Sequence, residues 1–387
     1  MRGVPLPRLS EEQRMLRTAV EEFVTREVVP IASEIDRVSR FPQATVRRMA
    51  EMGLFGVPIS KEWGGQGGSY VDYCLVLETL SHACMSHATI VGAHTSLVCL
   101  PLERFGTQEQ KVRHLRPLAS GEKLGAFALT EPGAGSDAAA IKLRAEKTPT
   151  GWELTGTKTW ITNGAEADLV IVIGVNNPEL GSRGGMTAFL VERGLPGYQV
   201  GKKLDKMGIR ASSTSELYFD RCRVPDQNVL GPVGDGFRVA MSTLDGGRLS
   251  LGAGVLGAAT AVTEQSIAFV KQRTAFGEPI AHKQAIQLKI ADMATGLYIM
   301  RELVYGAARR IDQGEALGKE SAMIKLFCSE TAHQIANHAM QIHGGMGFST
   351  ELSIERFYRD QRVSEVFEGT SEILRLLIAE EALKQGL

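Results

Sequence analysis

From residue 10 to about residue 118 the apolar positions recur at helical spacing, as at Met15, Ala19 and Phe23 and again at Leu75, Leu77 and Leu80. Ser10, followed by two glutamates, is a helix-start signal, and the glycine-rich stretch 63–68 interrupts this region between two helical parts. From about residue 125 to 225 the pattern changes to short alternating runs, such as 152–155, and a compact apolar run at 169–175, set apart by turn pairs like Asn163-Gly164 and Gly184-Gly185. Beyond about Gly234 helical periodicity returns in four long stretches, near 236–273, 283–313, 320–343 and 372–384, which suggests a bundle. Helices, then strands, then helices, with no strand–helix alternation and no fixed repeat, predict an α+β chain. Its expected parts are an N-terminal helical domain (1–122), a middle β domain (123–233) and a C-terminal four-helix bundle (234–387).

The chain has 387 residues, long enough for a large buried core, and its 43 basic residues balance 44 acidic ones. With no field of one sign to gather phosphates or anionic lipid, nucleic acid and membrane surfaces are not expected partners. Five scattered cysteines, Cys74, Cys84, Cys99, Cys222 and Cys328, form no Cys-x-x-Cys pair and read as reduced core thiols. The first residues lead straight into charged positions without an apolar stretch of signal-peptide length, so the expected location is cytoplasmic. The run 249–262, mostly Gly, Ala and Ser, is too short to cross a bilayer and reads as a tightly packed helix.

Candidate chemistry concentrates in a few motifs. Glu368 stands between Phe367 and Gly369, just before the last helical pattern, where burial would raise its pKa and the positive end of the coming helix would lower it. Gly369 lets a flat ligand approach the backbone, and Thr370 or Ser371 can cap the helix. Those residues alone fit a general base, but they fit a plain helix N-terminus with an acid nearby better. The stretch 130–138 satisfies Gly-x-Gly-x-x-Ala after an apparent strand, yet Glu153, about where a ribose-binding acid would fall, lies inside an alternating strand and no βαβ unit follows. A dinucleotide fold is therefore excluded, leaving a loop with exposed N–H groups and the hydroxyls of Thr130 and Ser136. Trp160-Ile161-Thr162 offers a wall and a hydroxyl for a planar cofactor, or simply a core tryptophan. Gln341-Ile342-His343-Gly344-Gly345 ends a helix with more glycines than a cap needs, and Arg273 can bind phosphate in bidentate fashion, although a surface arginine ending a helix is the usual explanation. Asp245 and Arg248 share one helical face. His82, His87 and His94 are not spaced for a common metal, so no metal site is expected.

The order and spacing of 127–137, 160–164, 273–277, 341–345 and 367–372 together resemble the acyl-CoA dehydrogenase family over essentially the whole chain. The resemblance implies FAD between the β domain and the C-terminal bundle, held by Phe127, Leu129, Thr130, Gly135, Ser136, Trp160, Ile161, Thr162, Thr370 and Glu372. Arg273, Phe276, Gln284, Gln341, Ile342, His343, Gly344 and Gly345 would reach the cofactor's adenosine diphosphate half from a neighbouring subunit, within a homotetramer built as a dimer of dimers. Ser136, Asp245, Arg248 and Gly369 would line the acyl-CoA site. The implied reaction oxidises an acyl-CoA thioester to its trans-2-enoyl form, with Glu368 taking the α proton and an electron-transferring flavoprotein as acceptor.

Two positions depart from common family patterns: the residue before the base is Phe367 rather than tyrosine, and Gly247 occupies the position where some branched-chain members carry their base. The rival activities on the same fold are an acyl-CoA oxidase or another flavin oxidase, separated by oxygen reactivity. Chain length and branching preference are not legible from these motifs.

Overall fold

The computed structural model describes residues 9–385; Met1 to Arg8, part of the stretch read above as lacking a signal-like run, lie outside them. Helix α1 (Glu11–Phe23) begins at the anticipated signal. Ser10 Oγ accepts the Gln13 N–H while the Gln13 side chain accepts the Ser10 N–H, a reciprocal cap. Ser69 and Asp72 repeat the device at the start of α2 (Tyr70–Ala83), and α3 (Met85–His94) follows. These last two helices are apolar almost all round, because they are buried on every side.

The middle of the chain forms an eight-stranded sheet: β1 (Gly125–Ala128), β2 (Arg144–Thr148), β3 (Gly151–Thr162), β4 (Leu169–Val175), β5 (Met186–Glu192), β6 (Tyr198–Lys203), β7 (Thr214–Val224) and β8 (Val229–Leu230). The strand order is β6-β7-β3-β2-β4-β5-β8, with β1 pairing parallel to β4. β4 and β5 are buried on both faces, which explains why 169–175 reads as a continuous apolar run. Ile171 and Ile173 point into a core shared with Leu102, Leu118 and Val239 of the helical parts, whereas Val170 and Val172 join Leu154, Phe189 and Leu217 on the opposite face. β1 runs into a turn closed by Glu131 and Ala134 rather than into a helix, so the glycine motif there is not a dinucleotide loop.

The helix α4 (Gly236–Gln272) is the axis of the helical body. It packs against α2 and α3 on one side and against α5 (Gln284–Asp312) and α6 (Lys319–His343) on the other. Val76, Leu80, Leu256, Ala259, Val304 and Ile324 thus belong to one apolar core, so the N-terminal and C-terminal helices are joined by packing although the sheet separates them in sequence. The glycine- and alanine-rich run makes this close approach possible. A Cβ at Gly257 would stand 2.1 Å from the Glu78 carbonyl oxygen of α2. By length and composition the whole helix could span a bilayer, more than the short run 249–262 suggested, and 67% of its most apolar window is buried inside the protein.

Two further helices flank the Glu368 loop: α7 (Ile354–Arg362), which the sequence pattern did not reveal, and α8 (Ser371–Gln385). α7 is mostly charged and is held by two buried apolar anchors, Ile354 and Phe357. All five cysteines are free and buried. His87 bonds to Thr45, His94 accepts the Gly125 N–H, and His82 pairs with Glu264, so the three histidines serve packing, and no metal cluster occurs among the described residues.

Gly257→Ala forces α4 and α2 apart and lowers stability by about 1–3 kcal/mol. Denaturant unfolding monitored by circular dichroism reads this as a lower midpoint; an unchanged midpoint contradicts the close-contact account.

Candidate active site

Glu368 follows the short helical turn Val363–Glu365 and precedes α8, and its backbone is left-handed at φ 55°. A non-glycine residue held there carries strain, which concentrates where function over-determines the conformation. Trp160 (φ 60°) and Phe276 (φ 53°) share this conformation, so three of the sequence-predicted site residues are among the few strained ones. The Glu368 residue keeps a half-buried edge, but its Oε2 is sealed from solvent and has no hydrogen-bond partner. That oxygen faces α4: a Cβ at Gly247 would stand 2.6 Å from it, and Leu97 closes the same spot. Glycine at 247 is therefore what leaves room for the carboxylate.

Burial pushes the Glu368 carboxyl up to about 7. Two side chains, Lys325 and Arg248, oppose that rise, rather than the helix end alone that the sequence suggested. Arg248 is buried, donates to Asp245 Oδ1 at 2.8 Å, and leaves its Nε unpaired. Ser321 Oγ donates to the same Asp245 oxygen at 3.0 Å, so the anticipated Asp245–Arg248 pair exists and is braced from α6. Burial raises the Asp245 carboxyl, with Arg248 acting against it. Lys325, completely buried on α6, donates from Nζ to the Gly369 carbonyl at 2.6 Å. Glu368, Gly369, Asp245 and Arg248 are thus brought together, with Gly247, Leu97, Ser321 and Lys325 around them.

A second group is assembled on the sheet. β3 bulges between Lys158 and Ile161, turning the Trp160 ring outward, 58% exposed. Directly before it, the fully buried Lys158 donates at 2.8 Å to both the Leu129 carbonyl and Glu131 Oε1. Glu131 also accepts the Lys142 and Leu143 N–H groups, and the Thr159 N–H bonds to the Thr130 carbonyl at 2.9 Å. Leu129 and Thr130 are thus tied to the strand that carries Trp160, Ile161 and Thr162, with Phe127 just upstream on β1, while Ser136 and Gly135 lie exposed at the tip of the loop. Thr370 Oγ1 accepts the Ile373 N–H at 3.4 Å, a long cap for α8, and Glu372 is exposed on the first turn.

The third group stands apart. Arg273 ends α4 and is exposed, Phe276 is 94% exposed, and Gln284 opens α5 on the surface. The end of α6 meets them through the His343 ring, 4.4 Å from that of Phe269; Ile342 is buried, and Gln341, Gly344 and Gly345 are exposed. The His343 ring thus packs this end of α6 onto α4.

The sequence reading missed Lys325, Lys158, Glu131 and Leu97. For Lys325 a signal was present: it falls in register with the buried positions Ser321, Ala322, Cys328 and Ala332 of α6, where a solvated lysine does not belong.

These residues fit a flavin. An exposed indole on a strained bulge, a backbone with open space beside Gly133, Gly135, Gly344 and Gly345, and a sealed carboxylate oxygen lacking a partner suit a planar cofactor and its phosphates better than they suit a free surface. Fold and site together define a flavin-dependent oxidoreductase.

The chain belongs to the acyl-CoA dehydrogenase family, whose N-terminal domain matches residues 10–122, whose middle domain matches 126–222 and whose C-terminal domain matches 234–383. It is similar to the mitochondrial short-chain specific acyl-CoA dehydrogenase of Mus musculus, 44% identical over 97% of this chain and 91% of that one. Among solved structures, butyryl-CoA dehydrogenase from Megasphaera elsdenii superposes with a TM-score of 0.95 at 36% identity, covering 97% of this chain and 99% of that one. A chain from the structure of the electron transferring flavoprotein of Acidaminococcus fermentans does so with 0.95 at 37% identity and the same coverage. The protein is an FAD-dependent acyl-CoA dehydrogenase.

Because the folded-state pKa of Glu368 lies above its ordinary 4.5, its contribution to stability is present below pH 4.5 and is lost as pH rises through about 7. Glu368→Gln removes that loss and stabilises the protein at pH 8 by roughly 1–3 kcal/mol relative to the parent, less at pH 5. Thermal melts of both proteins at matched FAD content check this; a difference that does not grow with pH contradicts it.

Proposed function

We propose that Glu368 is the general base of the dehydrogenation, that short-chain acyl-CoA thioesters are the substrates, and that the active protein is a homotetramer. The observation that carries the first point is the sealed, partnerless Oε2 on a carboxyl whose pKa sits near 7. A base poised there is deprotonated often enough to act and still basic enough to accept a carbon-bound proton. The α proton of a thioester is very weakly acidic, so the site must also hold the enolate-like charge. The Glu368 backbone N–H is proposed as one donor to the thioester oxygen. Bound FAD supplies the acceptor for the β hydrogen, taken as hydride. The protein's own contribution is to place the α carbon against Glu368, to exclude water through Leu97 and the packed face of α4, and to keep Arg248 and Lys325 close enough for the carboxylate to form.

On this reading Phe127, Leu129, Thr130, Gly135, Ser136, Trp160, Ile161, Thr162, Thr370 and Glu372 hold FAD. Asp245, Arg248, Gly369 and Ser136 line the acyl-CoA site. Arg273, Phe276, Gln284 and 341–345 serve a neighbouring subunit's cofactor, and the exposure of Arg273, Phe276, Gln284, Gln341, Gly344 and Gly345, with that of Phe348, Leu288 and Tyr298, supports assembly into a dimer of dimers. The short-chain preference rests on the names of the similar mouse and Megasphaera proteins. The electron-transferring flavoprotein is the proposed acceptor, supported by the Acidaminococcus structure. The buried free thiols agree with a reducing, cytoplasmic location.

Glu368→Gln retains the yellow cofactor but loses about 10²–10⁴-fold or more in kcat, measured with an artificial electron acceptor. Parent-like turnover would move the base elsewhere. Steady-state rates across saturated CoA esters from four to sixteen carbons should peak at the short end; a maximum at long chains would overturn the substrate proposal.

A further inference from the structure

We propose that Lys325 is a positioning residue for the base: its ammonium anchors the left-handed Glu368–Gly369 turn through the Gly369 carbonyl and supplies the buried positive charge that lets the Glu368 carboxylate form. The inference rests on the reading of Glu368 as base and goes beyond it by assigning the group that governs its ionisation.

Lys325 lies mid-way along α6 with no exposed surface, although lysine is among the residues least often fully buried. Its Nζ makes a 2.6 Å bond to the Gly369 carbonyl, one residue beyond the base and two before α8 starts. A neutral acceptor alone does not offset the cost of burying an ammonium. The charges facing it come from three other elements and from α6 itself: Glu368 on the loop, Arg248 on α4, Glu365 on the turn after α7, and Glu330 on α6. Glu330 is engaged by both guanidinium nitrogens of Arg375, at 2.7 Å each. Glu365 is shared by Arg362 at 3.3 Å and His333 at 3.8 Å. Arg248 repels Lys325 and is itself tied to Asp245. Glu368, whose Oε2 accepts no hydrogen bond, is the acid left to match it. Among the influences on Lys325, burial lowers its pKa to about 8 and Glu368 is the largest one holding it up; on Glu368, Lys325 ranks ahead of Arg248 in opposing burial. The influence is mutual: the lysine on α6 and the acid on the adjacent loop each favour the other's charged form, with Arg248 a second buried cation beside them. The hydrogen bond to Gly369 fixes the turn, and the charge sets the pH at which the turn's carboxylate is a base.

The test compares Lys325→Met, Lys325→Gln and Lys325→Arg holoenzymes with the parent and with Glu368→Gln, recording FAD content and the pH profile of kcat/KM with butyryl-CoA. Removing the cation moves the acid limb of Lys325→Met and Lys325→Gln up by about 1 pH unit or more, with an about tenfold loss of kcat/KM at pH 7, while FAD content stays at the parent level. Lys325→Arg, which keeps the charge, leaves the limb within a few tenths of the parent's. If Lys325→Met does not fold or retain FAD, the Gln and Arg variants decide: a shifted limb in Gln alone supports the proposal, and the same limb in both overturns it. An acid limb unmoved in every Lys325 variant, with Glu368→Gln inactive, refutes the role of Lys325 and leaves the base in place. Parent-like activity in Glu368→Gln refutes the reading of the base itself.

Discussion

A carboxylate kept out of water between two cations is the constraint around which this structure is arranged. Glu368 alone would be an unfavourable guest in an apolar contact between α4 and the loop before α8, and burial raises its pKa to about 7. Lys325 and Arg248 limit that rise, Gly247 supplies the room, and the left-handed backbone of Glu368 aims the side chain at α4. Each of these is a cost elsewhere: a buried lysine, a guanidinium with an unpaired Nε, a helix interior that accepts glycine, and a strained residue. The large shared core of the N-terminal and C-terminal helices offsets such costs, and the Glu368 loop packs against α4 and α6 of that core.

The sheet carries the complementary half of the site by the same logic. A buried Lys158–Glu131 pair fixes the loop that begins at Leu129, and the bulge that follows Lys158 turns Trp160 out of the core. In both halves a lysine with no exposed surface holds a backbone segment through a hydrogen bond to its carbonyl. Lys158 does so for the loop after β1, and Lys325 for the turn before α8.

Much of this was readable from sequence. The helix–strand–helix order follows from hydrophobic period, and the cap at Ser10, the long helices and the exclusion of a dinucleotide fold follow from local chemistry, because those features depend on neighbours in the chain. Glu368 was legible as a motif, with its glycine and its helix start. What the pattern could not give was its environment: the opponents of burial lie 43 and 120 residues away, at Lys325 and Arg248, and only tertiary packing brings them to the acid. The joining of the two helical parts was hidden for the same reason, since a helix that is apolar on every side does not reveal which neighbours cover it. α7 escaped because its nine residues are shorter than the window over which a helical period is read.

The ionisation of Glu368 in the resting holoenzyme tests this account most directly. An infrared difference titration, parent minus Glu368→Gln, follows the carbonyl stretch of the protonated carboxyl against pH. The account predicts a single carboxyl titrating at about 7. A midpoint at the ordinary 4.5 would show a solvated acid and contradict the sealed site on which the mechanism depends.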